Sequence, residues 1–279
     1  MSLPPLPANL VAEATMTGRV GAVSYLNTKP LIYGLAERLP ERQLVLDLPS
    51  RLADRLARRE LDVALIPSVE FLRGDGLAII SDACIACRGP VRSVQLLFRC
   101  APSDVQTLAL DEGSRTSAVL AQVLLFQKFG VRPSLQPLPI DAPLGSIDAD
   151  ALLVIGDRAM HLDRTHFVAA WDLGEQWHAT TGLPFVFAMW VTTPAKRAAT
   201  LAKALRESRD AGLANLTEII HHEAPLYGLT PADCRRYFEE QLHFFLGPQE
   251  LAGLDLFRSQ ASELGLVPEE STQLTLMPL

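Results

Sequence analysis

Little in this sequence is extreme, and each shortage excludes something. Lys and Arg number 25 against 32 Asp and Glu, a net charge of −7. No basic run is interleaved with aromatics, which excludes a nucleic-acid partner. No apolar stretch approaches the roughly 20 residues of a membrane span, and the opening MSLPPLPANL has neither a basic n-region nor an apolar h-region. The expectation is a cytoplasmic protein with no membrane partner.

Cysteine is scarce as well, with four in the chain. Cys84 and Cys87 form a CxxC, but they lie in AIISDACIACR, which reads as a strand, where residues three apart point to opposite faces. Without a second CxxC, and with Cys100 and Cys234 isolated, four reduced thiols are expected rather than zinc or thioredoxin chemistry.

What is present is the composition of a folded chain: 48% hydrophobic and 20% charged residues over 279 positions. That length holds two lobes or one large α/β domain. Short apolar runs alternate with amphipathic helical stretches, the pattern of an α/β protein with largely parallel strands. A strand is expected at 19–23, then a helix opened by Pro30 and running to about Leu39, with Asn27 or Thr28 near its cap. Ser50 is expected to cap RLADRLARRE, and 62–68 to form the next strand. LAIISDACI and VRSVQLLFR read as two longer strands joined by a Gly89-Pro90 turn.

After Arg99 the alternation restarts. TLALD is a strand, EGSR a loop, and TSAVLAQVLLFQKF a helix closed by Gly130. ALLVIG, the helix WDLGEQWHATTG and the apolar strand LPFVFAMWVTT follow, and from Pro194 onward the chain reads as helical, with helix starts at Thr230-Pro231 and Gly247-Pro248. This order suits two α/β lobes, the second inserted into the first: 18–97 plus 193–279, and 98–192.

In open α/β sheets, ligands bind beyond the carboxyl ends of strands, where loops hand over to helix N-termini. Four polar corners stand at such places. SYLNTKP supplies Ser24, Tyr25, Asn27 and Thr28. PSVE supplies Ser68, DEGSRTS supplies Ser114, Arg115, Thr116 and Ser117, and IGDRAM supplies Gly156 and Asp157. Free N–H groups, hydroxyls and a guanidinium at 114–117 suit a carboxylate. Taken singly, each corner is more simply a helix cap, and Arg115 a partner of Asp111 or Glu112. Together they point to a two-lobed protein that binds a small anion.

The blocks VGAVSYLNTKPL, DVALIPSVEF, GPVRSVQLL, LDEGSRTSAVLAQVLL, LLVIGDRAM and WDLGEQWHATTGLPFVFAMW, in this order and spacing, resemble the chorismate dehydratases of the futalosine route to menaquinone, the MqnA family. The likeness covers residues 18–279 and leaves 1–17 as an expected flexible leader. It implies a type II periplasmic-binding-protein-like fold, two lobes around a ligand cleft with a helical C-terminal part. It also implies conversion of the chorismate dianion to 3-[(1-carboxyvinyl)oxy]benzoate and water, with no metal and no organic cofactor. Matched residue by residue, it gives Asn27 and Ser93 the catalytic roles. Ser24 and Tyr25 then line the ring, and Ser114 to Ser117 hold a carboxylate. A homodimer stays open as a form of assembly.

No histidine falls in a corner. His161, His166, His178, His221, His222 and His243 all lie in or beside segments read as helical, and HHEAP lacks the second histidine of a zinc-binding HExxH. Glu70 and Asp157 are the nearby carboxylates, either of which serves equally well to order a helix start. With no evident base, the expectation is substrate assistance: the enolpyruvyl carboxylate takes H3 while Asn27 helps the C4 hydroxyl leave. Two rival readings are a non-catalytic binding protein for a small carboxylate and the dihydroxynaphthoate synthase of the same route.

Overall fold

The computed structural model describes residues 19–39, 43–74, 76–193, 198–269 and 274; the leader expected over 1–17 lies outside them. Along the chain, β1 (Arg19–Val23) leads into a 3-10 turn (Leu26–Ile32) and α1 (Leu35–Arg38), followed by β2 (Gln43–Asp47), α2 (Pro49–Ala57), β3 (Val63–Pro67), α3 (Ser68–Arg73) and β4 (Ala78–Cys87). The middle of the chain holds β5 (Val94–Phe98), β6 (Thr107–Asp111), α4 (Thr116–Phe129), β7 (Ser134–Leu138), β8 (Ala151–Ile155), β9 (Ala169–Asp172) and α5 (Leu173–Thr181). Then come β10 (Phe185–Thr192), α6 (Ala198–Ala214), α7 (Leu216–Leu226), α8 (Pro231–Arg236), a π-helical turn (Tyr237–Gln241), β11 (His243–Phe245) and α9 (Pro248–Glu263).

The strands form two sheets, ordered β11-β4-β10-β3-β1-β2 and β7-β6-β8-β5-β9. Their pairing is mixed rather than largely parallel: four pairings among the described residues are parallel and five antiparallel. The reason is the crossing. β5 enters the second sheet, and β10 re-enters the first, from the end where the chain has just left the other sheet. Each must therefore run against its neighbours. This also corrects the expected lobe limits. A boundary at 97/98 would cut β5, which pairs along its length in the second sheet, and a boundary at 192/193 would assign β10 to the wrong one. The strands on either side of Gly89-Pro90 do not form a hairpin but belong to different sheets.

Period-two alternation distributes β5 between two cores. Leu96 and Phe98 join the large core that continues through both sheets, while Leu97 faces a smaller one with Leu152 and Val154 on the far side of the second sheet. β3 is buried at every position, as a strand covered on both faces must be. In α2, Leu52 and Leu56 are buried on one face, each contributing about 1.5–3 kcal/mol of burial.

Several local expectations shift. Pro30 sits inside the 3-10 turn and opens no helix to Leu39; Gly34, at φ +62°, redirects the chain before α1. The cap of α2 is Leu48, with Pro49 in its first turn, so Ser50 is not the cap. Within the C-terminal part read as helical, His243 lies in β11, an edge strand of the first sheet. Cys84 and Cys87 are buried in β4, and all four cysteines are free.

Candidate functional site

Strand ends from both sheets meet around a narrow cavity of about 60 Å³. The first sheet side contributes Val23, Tyr25, Asn27, Pro49, Pro67, Ile85, Phe187 and Ala188. The second contributes Val94, the run Gly113 to Ser117, Ile155 and Gly156, and the crossing segment adds Val91 and Ser93. Eight of the expected site residues therefore come together: Tyr25, Asn27, Ser93, Ser114, Arg115, Thr116, Ser117 and Gly156.

Four do not line the cavity, and each has another task. Ser24 donates its backbone N–H to Asp47 and accepts at its carbonyl from Tyr227. Thr28 is buried and donates its hydroxyl to Asn27 Oδ1 at 3.2 Å, which fixes the orientation of that amide. Ser68 donates to the Val186 carbonyl at 2.7 Å. Asp157 accepts the Leu26 N–H at 3.1 Å and so starts the 3-10 turn from the opposite sheet. Burial pushes the Asp157 carboxyl up to about 6, against the lowering pull of the Leu26 N–H.

Tyr25 is the knob that joins the two halves. Its ring fits against Gly113 and Gly156, where an added Cβ would lie 2.9 Å from Tyr25 Oη and Cζ respectively. Gly156 also has φ +65°, so this corner of the second sheet demands glycine twice over. Asp111, buried, accepts the Gly113 N–H at 3.0 Å and shapes the turn beneath the tyrosine. Burial, with Asp111 and Asp157 nearby, raises the Tyr25 phenol well above its ordinary range, so it stays protonated.

Arg115 does not pair with Asp111 or Glu112. One side of its guanidinium binds both oxygens of Asp54 at 2.8 and 2.9 Å, and the other binds Glu70 at 3.0 Å. These acids sit on α2 and α3 beside the first sheet, so the ion pairs span the cleft. Thr116 does the same with a neutral group, its Oγ1 accepting the Val69 N–H at 3.2 Å. What α4 offers to a ligand is therefore its own first-turn N–H groups and the Ser114 and Ser117 hydroxyls, not a free guanidinium.

Ser93 is placed by a device that the corners did not reveal. Arg92 holds φ +62°, a strained value for a residue with a side chain. Asp172 sustains it by accepting N–H bonds from Val91 (3.0 Å) and Arg92 (2.6 Å) and an amide bond from Gln95 (2.9 Å), while also capping α5 through Glu175 N. The aspartate of the DLG block thus organises the crossing strand. Ser93 Oγ accepts the Tyr237 O–H at 2.9 Å. Tyr237 is fully buried and lies in the π-helical turn, far from every motif in the sequence. The only signal for it was an aromatic in a helical stretch, which reads as core.

Among the described residues, no histidine and no carboxylate lines the cavity. Glu70 is held by Arg73 and Arg115, and Glu223, within HHEAP, pairs with Lys29 at 2.9 Å. A wider hollow behind the second sheet contains Arg99 and Arg158, but both guanidiniums are engaged by backbone carbonyls of 139–149. Among the described residues no helix is long and apolar enough to cross a membrane.

The chain resembles known proteins over most of its length. A Thermus thermophilus protein named chorismate dehydratase is 32% identical over 268 residues, covering 88% of this chain and 95% of that one. A Campylobacter jejuni protein of the same name is 26% identical, covering 88% and 98%. Among solved structures, one from Archaeoglobus fulgidus superposes with a TM-score of 0.70 at 17% identity, covering 89% of this chain and 98% of that one. The periplasmic aliphatic sulphonate binding protein of Escherichia coli gives 0.57 at 15%, covering 94% of each. These two likenesses show the fold, the periplasmic-binding-protein-like arrangement expected from the sequence. Residues 18–263 match the model of the menaquinone-biosynthesis family, and with two sheets closing on one cavity and a relative above 30% identity, this chain belongs to that family.

Proposed function

We propose that this protein is a chorismate dehydratase, a cytoplasmic carbon–oxygen lyase that removes water from chorismate to give 3-[(1-carboxyvinyl)oxy]benzoate. The names of the two relatives supply the substrate. The cavity supports the mechanistic reading, because among the described residues its lining holds hydroxyls, an amide, apolar walls and the already paired Arg115 but no side chain that is a base near neutral pH.

In that setting the base is the substrate's own enolpyruvyl carboxylate. It takes H3; the electrons of that C–H bond move into the ring as the C4–O bond breaks; and the departing hydroxide takes up the proton to become water. Because the C3 and C4 oxygens of chorismate are trans, H3 and the C4 hydroxyl lie on one face, and a single carboxyl serves both transfers. Aromatisation makes the reaction downhill, so the protein needs mainly to fix one conformer.

Asn27 donates to the C4 hydroxyl and Ser93 to a substrate oxygen, while the other carboxylate rests on the first turn of α4, among the N–H groups of 114–117. Val23, Val94 and Ile155 wall the ring. The test is to mix purified protein with chorismate and follow ultraviolet absorbance and product mass. Loss of one water with formation of the benzoate is expected. Binding without turnover would indicate a carrier on this fold, and neither binding nor turnover would rule out chorismate.

A further inference from the structure

Two hydrogen bonds orient the polar groups at the first-sheet end of the cavity. Thr28 Oγ1 donates to Asn27 Oδ1 at 3.2 Å. Burial raises the Tyr237 phenol, while Ser93 and the neighbouring Asn27 side chain pull the other way, so Asn27 stands beside the phenol. Tyr237 Oη then donates to Ser93 Oγ at 2.9 Å. A hydroxyl that accepts from a tyrosine has its own hydrogen left to give, and Ser93 lines the cavity. Tyr237 and Ser93 are 0% and 2% exposed, so water does not compete for the bond between them.

We infer that Tyr237 is a positioning residue for the reaction. It donates to Ser93 and stands beside Asn27, so that Ser93 meets the substrate as a hydrogen-bond donor in a fixed direction next to the Asn27 amide. The assignment rests on the dehydratase reading and deepens it, because a leaving hydroxide and a carboxylate are both acceptors and gain from donors already turned toward them. The contact comes from the start of the π-helical turn. Tyr237 is its first residue, and its phenol reaches Ser93, 144 positions earlier in the chain.

Tyr237→Phe removes one oxygen and keeps the ring in place. The expected result is a fall in kcat of about 10- to 100-fold, with KM within about threefold of the wild type. A tyrosine that only packs would cost the same in any background. The substitution is therefore repeated with Ser93→Ala, where its further cost is expected to shrink to about threefold or less. Unchanged kcat in Tyr237→Phe, or equal cost in both backgrounds, overturns the assignment. If Tyr237→Phe does not fold, Thr28→Val reads the same polar group from the Asn27 side: a lower kcat at constant KM supports the assignment and an unchanged kcat overturns it. Wild-type turnover of chorismate, measured alongside, separates the two levels. Its absence defeats the dehydratase reading itself, whereas normal wild-type turnover with indifferent variants defeats only the positioning role.

Discussion

Two polar corners face one another across the cleft and use their polarity in opposite ways. At 114–117 the charged group is already consumed, since Arg115 is tied to Asp54 and Glu70 across the gap. At 25–28 nothing is charged, yet Asn27 lines the cavity with its amide oxygen held by Thr28. A guanidinium at a strand end looks like an anion site, but here it fastens two halves of the molecule. Under the proposed reaction the chemistry falls to the neutral side, where direction rather than charge is prepared in advance.

The comparison is broken most directly at Asn27. Asn27→Ala should reduce kcat by about 10²- to 10³-fold while chorismate affinity stays within about tenfold, some 1.4 kcal/mol. A variant that loses binding but keeps its rate at saturation would remove Asn27 from the chemistry. Gly156→Ala attacks the seam between the corners, adding a Cβ in the left-handed region against the Tyr25 ring. It should lower stability by about 2–3 kcal/mol, seen as a lower denaturant midpoint with an unchanged slope. An unshifted midpoint would show that Tyr25 moves aside freely.

Asp157 sharpens the contrast through pH. Its carboxyl titrates near 6 in the folded protein, above its unfolded value near 4. The folded state therefore holds more proton between those values, and stability falls as pH rises from about 4 to 6. Asp157→Asn keeps an acceptor for Leu26 N and should flatten that fall, leaving the variant about 1–2 kcal/mol more stable than wild type at pH 8. Parallel stability curves across this window would refute the assignment.

The smallest effect is expected at Arg115, whose ion pairs are partly exposed. Arg115→Gln should raise KM about threefold to tenfold with kcat within twofold, and should abolish much of the wild-type sensitivity of KM to salt. A loss of affinity of 100-fold or more would mean that Arg115 leaves its partners to bind substrate. The two corners would then be alike after all.

Much of the site was legible because strand ends and helix starts are local. The runs 19–23, 107–111 and 151–155 were evident as strands, and the 116–129 helix with its closing Gly130 was evident from its pattern and cap. Eight expected residues line the cavity on that basis. Tyr237 and Asp172 escaped notice as site builders because their roles consist of bonds to residues 144 and about 80 positions away. Ser68 and Asp157 show the same limit, since a polar side chain at a strand end serves a ligand or a backbone group according to what packs opposite.

By itself the sequence determined the elements, their order, the apolar faces and the polar corners, because propensity, periodicity and capping act over a few neighbouring residues. Only the tertiary structure decided that β5 and β10 run against their neighbours, that Arg115 bridges the cleft, and that a tyrosine from the C-terminal part stands beside Asn27 and donates to Ser93. Those outcomes depend on which surfaces meet when the chain crosses twice between sheets. Hydrogen bonds and ion pairs act within a few ångströms in space, and distance along the chain carries no record of them.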